Sequence, residues 1–190
     1  MTKKDDSKLK KDNLVWIDME MTGLDPEKER IIEAAVIVTD SQLNILEEGP
    51  SLVIYQPNSV LNRMDSWNKK HHGGSGLIDA VKKSKINTKK AESLILKCIK
   101  KYGVPQKTVL CGNSVFHDKR FIIKYMPKLD RFLHYRIIDV STVKDLVRRW
   151  YPKNKELPKK KERHRALDDI RESIEELRFY RKTYFKQVSA

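Results

Sequence analysis

The segment Leu14-Val15-Trp16-Ile17-Asp18-Met19-Glu20-Met21-Thr22-Gly23 is apolar enough to be a core strand, yet it carries two acids at alternate positions and stops at a glycine. The period of two puts Asp18 and Glu20 on one face of a strand over 14–21. Acid pairs of this spacing also occur on solvated strand faces. Here the surrounding residues are of buried type, and the acids fall at the C-terminal end of the strand, where open α/β sheets place ligand sites. Unit charges ~4 Å apart repel by roughly 1 kcal/mol in water and several times that when partly buried. The pair alone is weak evidence, whereas four converging acids would make sense only with divalent cations between them.

The rest of the chain alternates strand and helix patterns. Strands are expected over 31–39 and 50–56, with 23–26 and 40–41 as turns, so the first three strands form an antiparallel meander. Residues 58–103 turn helical, most clearly where Ala91, Leu94, Ile95, Cys98, Ile99 and Tyr102 line one stripe with lysines behind it. A fourth strand over 108–111 ends at Gly112-Asn113-Ser114, and a helix over 118–125 stops before Pro127. A fifth strand over 135–140 leads to a helix capped by Ser141 and running to about residue 150. Residues 151–162 hold two prolines and five lysines and read as an exposed loop. Leu167, Ile170, Ile174 and Leu177 mark a last helix. The expectation is a flexible basic tail over 1–12 and a single α/β domain over 13–190.

Forty Lys and Arg against 26 Asp and Glu leave a net charge of +14, which draws a protein toward polyanions. Nucleic acid is the first partner to consider, and a solubilising surface is the plain alternative. Cys98 and Cys111 lack ligand-like spacing and sit in apolar stretches, so they read as reduced core residues. Residues 1–11 have lysines but no apolar core, unlike a secretory signal, and the longest apolar run, 34–38, cannot span a membrane. The expected setting is the cytoplasm.

Further acids complete the chemistry. Asp118 stands mid-chain, and His164-Arg165-Ala166-Leu167-Asp168-Asp169 opens the last helix. Hard carboxylate oxygens from Asp18, Glu20, Asp118 and Asp169 suit Mg²⁺ or Mn²⁺ rather than zinc. Two such ions ~3.5–4 Å apart activate an attacking water and stabilise a leaving oxygen in phosphodiester hydrolysis. His164 can accept the water's proton, because imidazole titrates near neutrality. Taken alone, His164 between two arginines reads as a surface residue.

These blocks carry a resemblance. Asp18-Met19-Glu20-Met21-Thr22-Gly23-Leu24, Asn113-Ser114 with Asp118, and His164 with Ala166 and Asp169 resemble the three exonuclease motifs of the DEDD superfamily, in its histidine-bearing branch. Met64-Asp65-Ser66-Trp67-Asn68, His72 with Ser75-Gly76-Leu77, Arg136 with Asp139-Val140-Ser141-Thr142, and His164 to Ser173 are similar to the oligoribonuclease family, over about residues 13–185. The resemblance implies a ribonuclease-H-like five-stranded mixed sheet in order 3-2-1-4-5, flanked by helices. It implies a homodimer that removes 5′-mononucleotides from the 3′ end of short single-stranded RNA, about two to five nucleotides long and dinucleotides above all. By the same carry-over, Asp18 bridges both metals, Glu20 and Asp169 complete one site, and Asp118 serves the other. Leu24 wedges between bases, with Trp67 and His72 near the 3′ nucleotide. Tyr135 acts across the dimer, while Ser114, Arg136, Ser141 and Lys144 hold the 5′ phosphate. From pattern alone Leu24 and Trp67 read as core, and Ser141 as a helix cap. The high positive charge keeps open a related exonuclease acting on longer RNA or DNA ends.

Overall fold

The computed structural model describes residues 10–152 and 165–186. Strands β1 (Leu14–Met21), β2 (Ile31–Thr39), β3 (Ile45–Val53), β4 (Val109–Gly112) and β5 (Ile137–Asp139) form one sheet in the order β3-β2-β1-β4-β5. The first three pair antiparallel, and β1–β4 and β4–β5 pair parallel, so the sheet is mixed in the order the resemblance implied.

Side-chain parity divides the core. Val15, Ile17, Met19 and Met21 face helices α4 (Thr88–Ile99), α5 (Phe116–Tyr125) and α6 (Pro127–Phe132). Trp16, Ala35, Ile37 and Cys111 face α7 (Val140–Trp150) and α8 (Ala166–Tyr184). Asp18, Glu20 and, on β2, Glu33 share the parity of this second face, which is why the acids look toward α8. Each fully buried large apolar side chain contributes roughly 1.5–3 kcal/mol. All nine residues of β2 are buried, so the apolar layers outweigh the cost of Glu33 among them. Trp16 satisfies its indole N–H on Thr39 Oγ1 at 3.0 Å.

Helices α1 (Asn58–Leu61), α2 (Ser66–Gly74) and α3 (Leu77–Lys83) precede α4 in the stretch expected to be helical. Asp65 caps α2 by accepting from Asn68 N, and Asn87 caps α4 by accepting from Lys90 N. The apolar stripe of α4 packs as its spacing predicts, with Ala91, Ile95, Cys98 and Ile99 buried.

Local readings missed in three places. The third strand lies at Ile45–Val53, not 50–56: it is largely exposed, its register shifts twice against β2, and it carries two acids and Pro50, so no apolar alternation marked it. Pro127 does more than end a helix. It stands at the first position of α6, where its missing N–H costs nothing, while Glu92 of α4 accepts from Lys128 N and Leu129 N. The cap of α7 is Asp139, two residues before Ser141, whose own N–H and hydroxyl bond to Asp139 Oδ1. The expected 1–12 tail and 151–162 loop fall largely outside the described residues. Among the described residues no helix is long and apolar enough to cross a membrane.

Candidate active site

Strand β4 pairs with β1 only as far as Trp16 and Cys111, and then the chain turns away at Gly112. A Cβ there would lie 2.9 Å from Val115 Cγ2 and 3.1 Å from Ile17 O, so the tight exit requires glycine. Beyond it the β1 edge has no strand partner on this side among the described residues. The N-terminal turn of α5 fills the gap with Asp118, whose Oδ1 accepts from Met19 N at 2.9 Å. The crevice is thus the point where β1's neighbours run off in different directions, as expected for a ligand site in such sheets.

Asp18, Glu20 and Asp169 converge on one side of this crevice, each offering a carboxylate oxygen within 4.8 Å of the others. Asp169 arrives from the first turn of α8, the positive end of that helix. Burial, then the charges of Asp18, Asp169 and Glu33, push the Glu20 carboxyl up to about 8, with Arg165 pulling the other way. Burial and then Asp18 raise the Asp118 carboxyl well above the usual range, although the Met19 N–H favours its charged form. The charges of these acids oppose one another across the crevice. An all-oxygen set of this kind fits hard divalent cations such as Mg²⁺ or Mn²⁺, which favour the charged carboxylates.

The other sequence-predicted residues fall into two groups. Leu24 and Trp67 are 59% and 65% exposed, so neither is a core residue as pattern suggested. Leu24 lies in the loop leaving β1, where Arg120 donates to its carbonyl at 3.3 Å. Trp67 stacks on His71 with centroids 4.6 Å apart and planes 11° apart. His72 is buried, its Nε2 3.0 Å from Met21 O and its Nδ1 3.9 Å from Glu20 Oε2, so it lines the floor beside the carboxylates. The second group comes from β4, β5 and α7 and the turns beside them, with Asp139 joining Ser114 to Ser141. Asp139 Oδ1 accepts from Ser114 N, Ser141 N and the Ser141 hydroxyl, holding Ser114 at a φ of 56°. Arg136 lies over the Tyr135 ring and donates to the Tyr135 hydroxyl from Nε at 3.1 Å. Tyr135 itself is 76% exposed. Lys144 pairs at 3.1 Å with Glu176, which also accepts from Asn113 and Tyr180. His164 lies outside the described residues.

Three residues here were assigned no role beforehand, although Asp139 stood within one of the motif blocks. Asp139 bonds to Ser114 and Ser141, Glu176 pairs with Lys144, and Glu33 pairs with Arg165 at the start of α8, all three without belonging to the acidic cluster. Glu33 left a signal, a single acid in the otherwise apolar run 31–38, because an ionised side chain in a core strand must have a partner. Glu176 follows the α8 charge pattern, and nothing in its neighbourhood marks it as buried.

Comparison with known proteins agrees with this geometry. The family described as Exonuclease (RNase T) matches residues 15–177. The oligoribonuclease of Dichelobacter nodosus is 54% identical over 180 residues, covering 95% of this chain and 99% of its own. The human mitochondrial oligoribonuclease is 57% identical over 175 residues, covering 92% and 74%. Among solved structures, exonuclease I from Methylocaldum szegediense superposes with a TM-score of 0.67 at 20% identity, over 92% of this chain and 41% of that one. A likeness that distant speaks for the fold.

Proposed function

Since this chain belongs to the oligoribonuclease family, and so is a 3′→5′ exoribonuclease of short RNA, we propose that Asp18, Glu20, Asp118 and Asp169 hold two divalent cations, Mg²⁺ or Mn²⁺, at the scissile phosphate. The observation that carries this is the convergence of Asp18, Glu20 and Asp169 within 4.8 Å, with the buried Asp118 anchored on Met19 N. When bound, the cations supply Lewis-acid polarisation of the phosphodiester and make water a better nucleophile. The chain's own residues do the rest. Asp118 is oriented by the Met19 N–H, and Asp169 by the first turn of α8. His164 takes the proton of the attacking water and passes it on. Leu24 and Trp67 present exposed apolar surface to the two bases, with His71 as backing for the indole, and His72 stiffens the floor beside Glu20.

In this reading Ser114, Arg136, Ser141 and Lys144 hold the 5′ phosphate, with a division of labour. Asp139 and Glu176 already engage Ser141 and Lys144, which orients them and offsets part of the positive charge. The planar guanidinium of Arg136 is then the main cationic anchor for the phosphate. Tyr135, being so exposed, is available to complete the site of a second copy in a homodimer. The protein works as one exonuclease domain over 13–190 behind the 1–12 tail. Its buried free thiols Cys98 and Cys111 fit a reducing compartment, the cytoplasm.

The experiment is a length series of 5′-phosphorylated RNA at physiological salt. A surface of charge +14 that merely gripped the backbone would favour longer RNA, because each phosphate neutralised releases counterions. Two fixed anchors, at the metals and at the 5′ phosphate, reverse the order. A dinucleotide should be cleaved faster than a seven-nucleotide RNA, and Arg136→Ala should erase most of that preference while the longer RNA is still cut. Preference for the longer RNA in the parent protein would move it to the exonucleases of longer ends. The dimer has its own test. Mixing inactive Asp18→Ala and Tyr135→Ala proteins should restore part of the activity once subunits exchange, and exchange without recovery would return Tyr135 to its own protomer.

A further inference from the structure

Glu33 is fully buried near the start of β2, directly opposite Glu20 in the β1–β2 register. Adding a negative group beside carboxylates that already repel one another is costly, and it adds to the forces that raise the Glu20 carboxyl. Something must offset that cost. The bonds Glu33 makes point to what. Arg165 donates to it from Nε at 3.2 Å and from its terminal NH2 at 2.8 Å, in a two-pronged pair. Ala166 N lies 3.4 Å from Glu33 Oε2, and the Ser51 hydroxyl donates to Oε1 at 3.2 Å.

Ala166 is the first residue of α8, and the residue before it at the cap position, Arg165, has no side chain able to accept from the helix's free N–H groups. A helix of this length normally begins with a local Ser, Thr, Asp or Asn. Here the acceptor comes from another element, 133 positions away along the chain. One turn further on, Asp169 N donates to Arg165 O at 3.0 Å, so whatever holds Arg165 sets where Asp169 begins.

We infer that Glu33 is a positioning residue for the reaction: it supplies from β2 the cap that α8 lacks, and thereby sets Asp169 against Asp18 and Glu20. The inference rests on reading those three carboxylates as the metal-holding set. Glu33 has a second effect through the same pair. The Arg165 guanidinium acts electrostatically on Glu20. Bound to Glu33 it is kept from the site carboxylates; released, it would compete with a divalent cation for them.

Partners that orient metal ligands typically cost about 10–100-fold in metal affinity or activity when removed. The test is Mn²⁺ titration calorimetry on Glu33→Gln without RNA, beside melting curves of the metal-free proteins and dinucleotide hydrolysis across a Mg²⁺ series. Glu33→Gln should bind Mn²⁺ about 10–100-fold more weakly, and its half-saturating Mg²⁺ should rise to match. Its KM for dinucleotide at saturating metal should stay within about twofold of the parent's. Arg165→Met added to Glu33→Gln should make metal binding no weaker, because the competing guanidinium is gone. If Glu33→Gln does not fold, Arg165→Lys serves instead. That side chain is 43% exposed, and lysine keeps the charge while losing the fork, so the same weakening of metal binding is expected. Parent-like Mn²⁺ affinity in a folded variant, or a loss explained entirely by the unfolded fraction, would overturn the inference. A parent protein that binds Mn²⁺ but does not cleave dinucleotides would instead count against the functional reading.

Discussion

Replacing Asp118 with asparagine should abolish hydrolysis of a 5′-phosphorylated dinucleotide while the protein stays folded, and without divalent cations the variant should melt at a higher temperature than the parent. Asparagine is the informative choice. It keeps an oxygen to accept from Met19 N, whereas alanine would leave that buried N–H unsatisfied at a cost of about 1–3 kcal/mol. What disappears is the charge, in a position where burial and Asp18 already oppose it. Losing a hard ligand forfeits several kcal/mol of transition-state stabilisation, or more than about 10³-fold in rate. Asp18→Asn, Glu20→Gln and Asp169→Asn should behave alike.

Glu20 adds a pH signature to the same expectation. Its folded pKa of about 8 lies above the ordinary 4.5, so between these values the folded state holds a proton that the unfolded state has released. Stability present below about 4.5 is therefore lost as pH rises toward 8, by a few kcal/mol at most. The melting temperature of metal-free Glu20→Gln should gain on the parent's as pH goes from about 5 to 9, and saturating Mg²⁺ should close the gap. Parallel melting profiles, or near-parental turnover by any of the four variants, would take that carboxylate out of the site.

The second large effect concerns His164. Its change to alanine should lower turnover roughly 10²–10⁴-fold, the range a general base contributes, with Mn²⁺ affinity essentially retained. In the parent protein, activity should fall on acidification through the pKa of the imidazole. At saturating Mg²⁺, which keeps the site carboxylates ionised, the alanine variant should lose that limb of the profile, since the imidazole is gone. An unchanged rate and profile would mean that another group accepts the proton from water. Separating metal affinity from turnover also divides His164 from Glu33, whose loss is expected to act mainly on the metal.

How much of this was legible beforehand depends on the distance over which each feature is determined. The β1 and β2 limits, the face shared by Asp18 and Glu20, and the apolar stripe of α4 all follow from spacing within a few residues, because backbone period and burial act locally. The acids that converge were recognisable too, as motif residues whose types suit hard cations. Local pattern failed where the environment is set by another element. Leu24 and Trp67 look like core residues and are exposed, Glu176 looks like a surface residue and is buried, and β3 lacks alternation because it lies at the sheet's edge. The cap of α8 is the sharpest case. Nothing near Arg165 announces it, because the acceptor is Glu33, 132 positions earlier and brought there only when α8 packs across β2. The sequence by itself determined which groups could do the chemistry; tertiary packing decided which of them meet, and which neighbours hold them, since a buried charge is defined by partners that no local pattern contains.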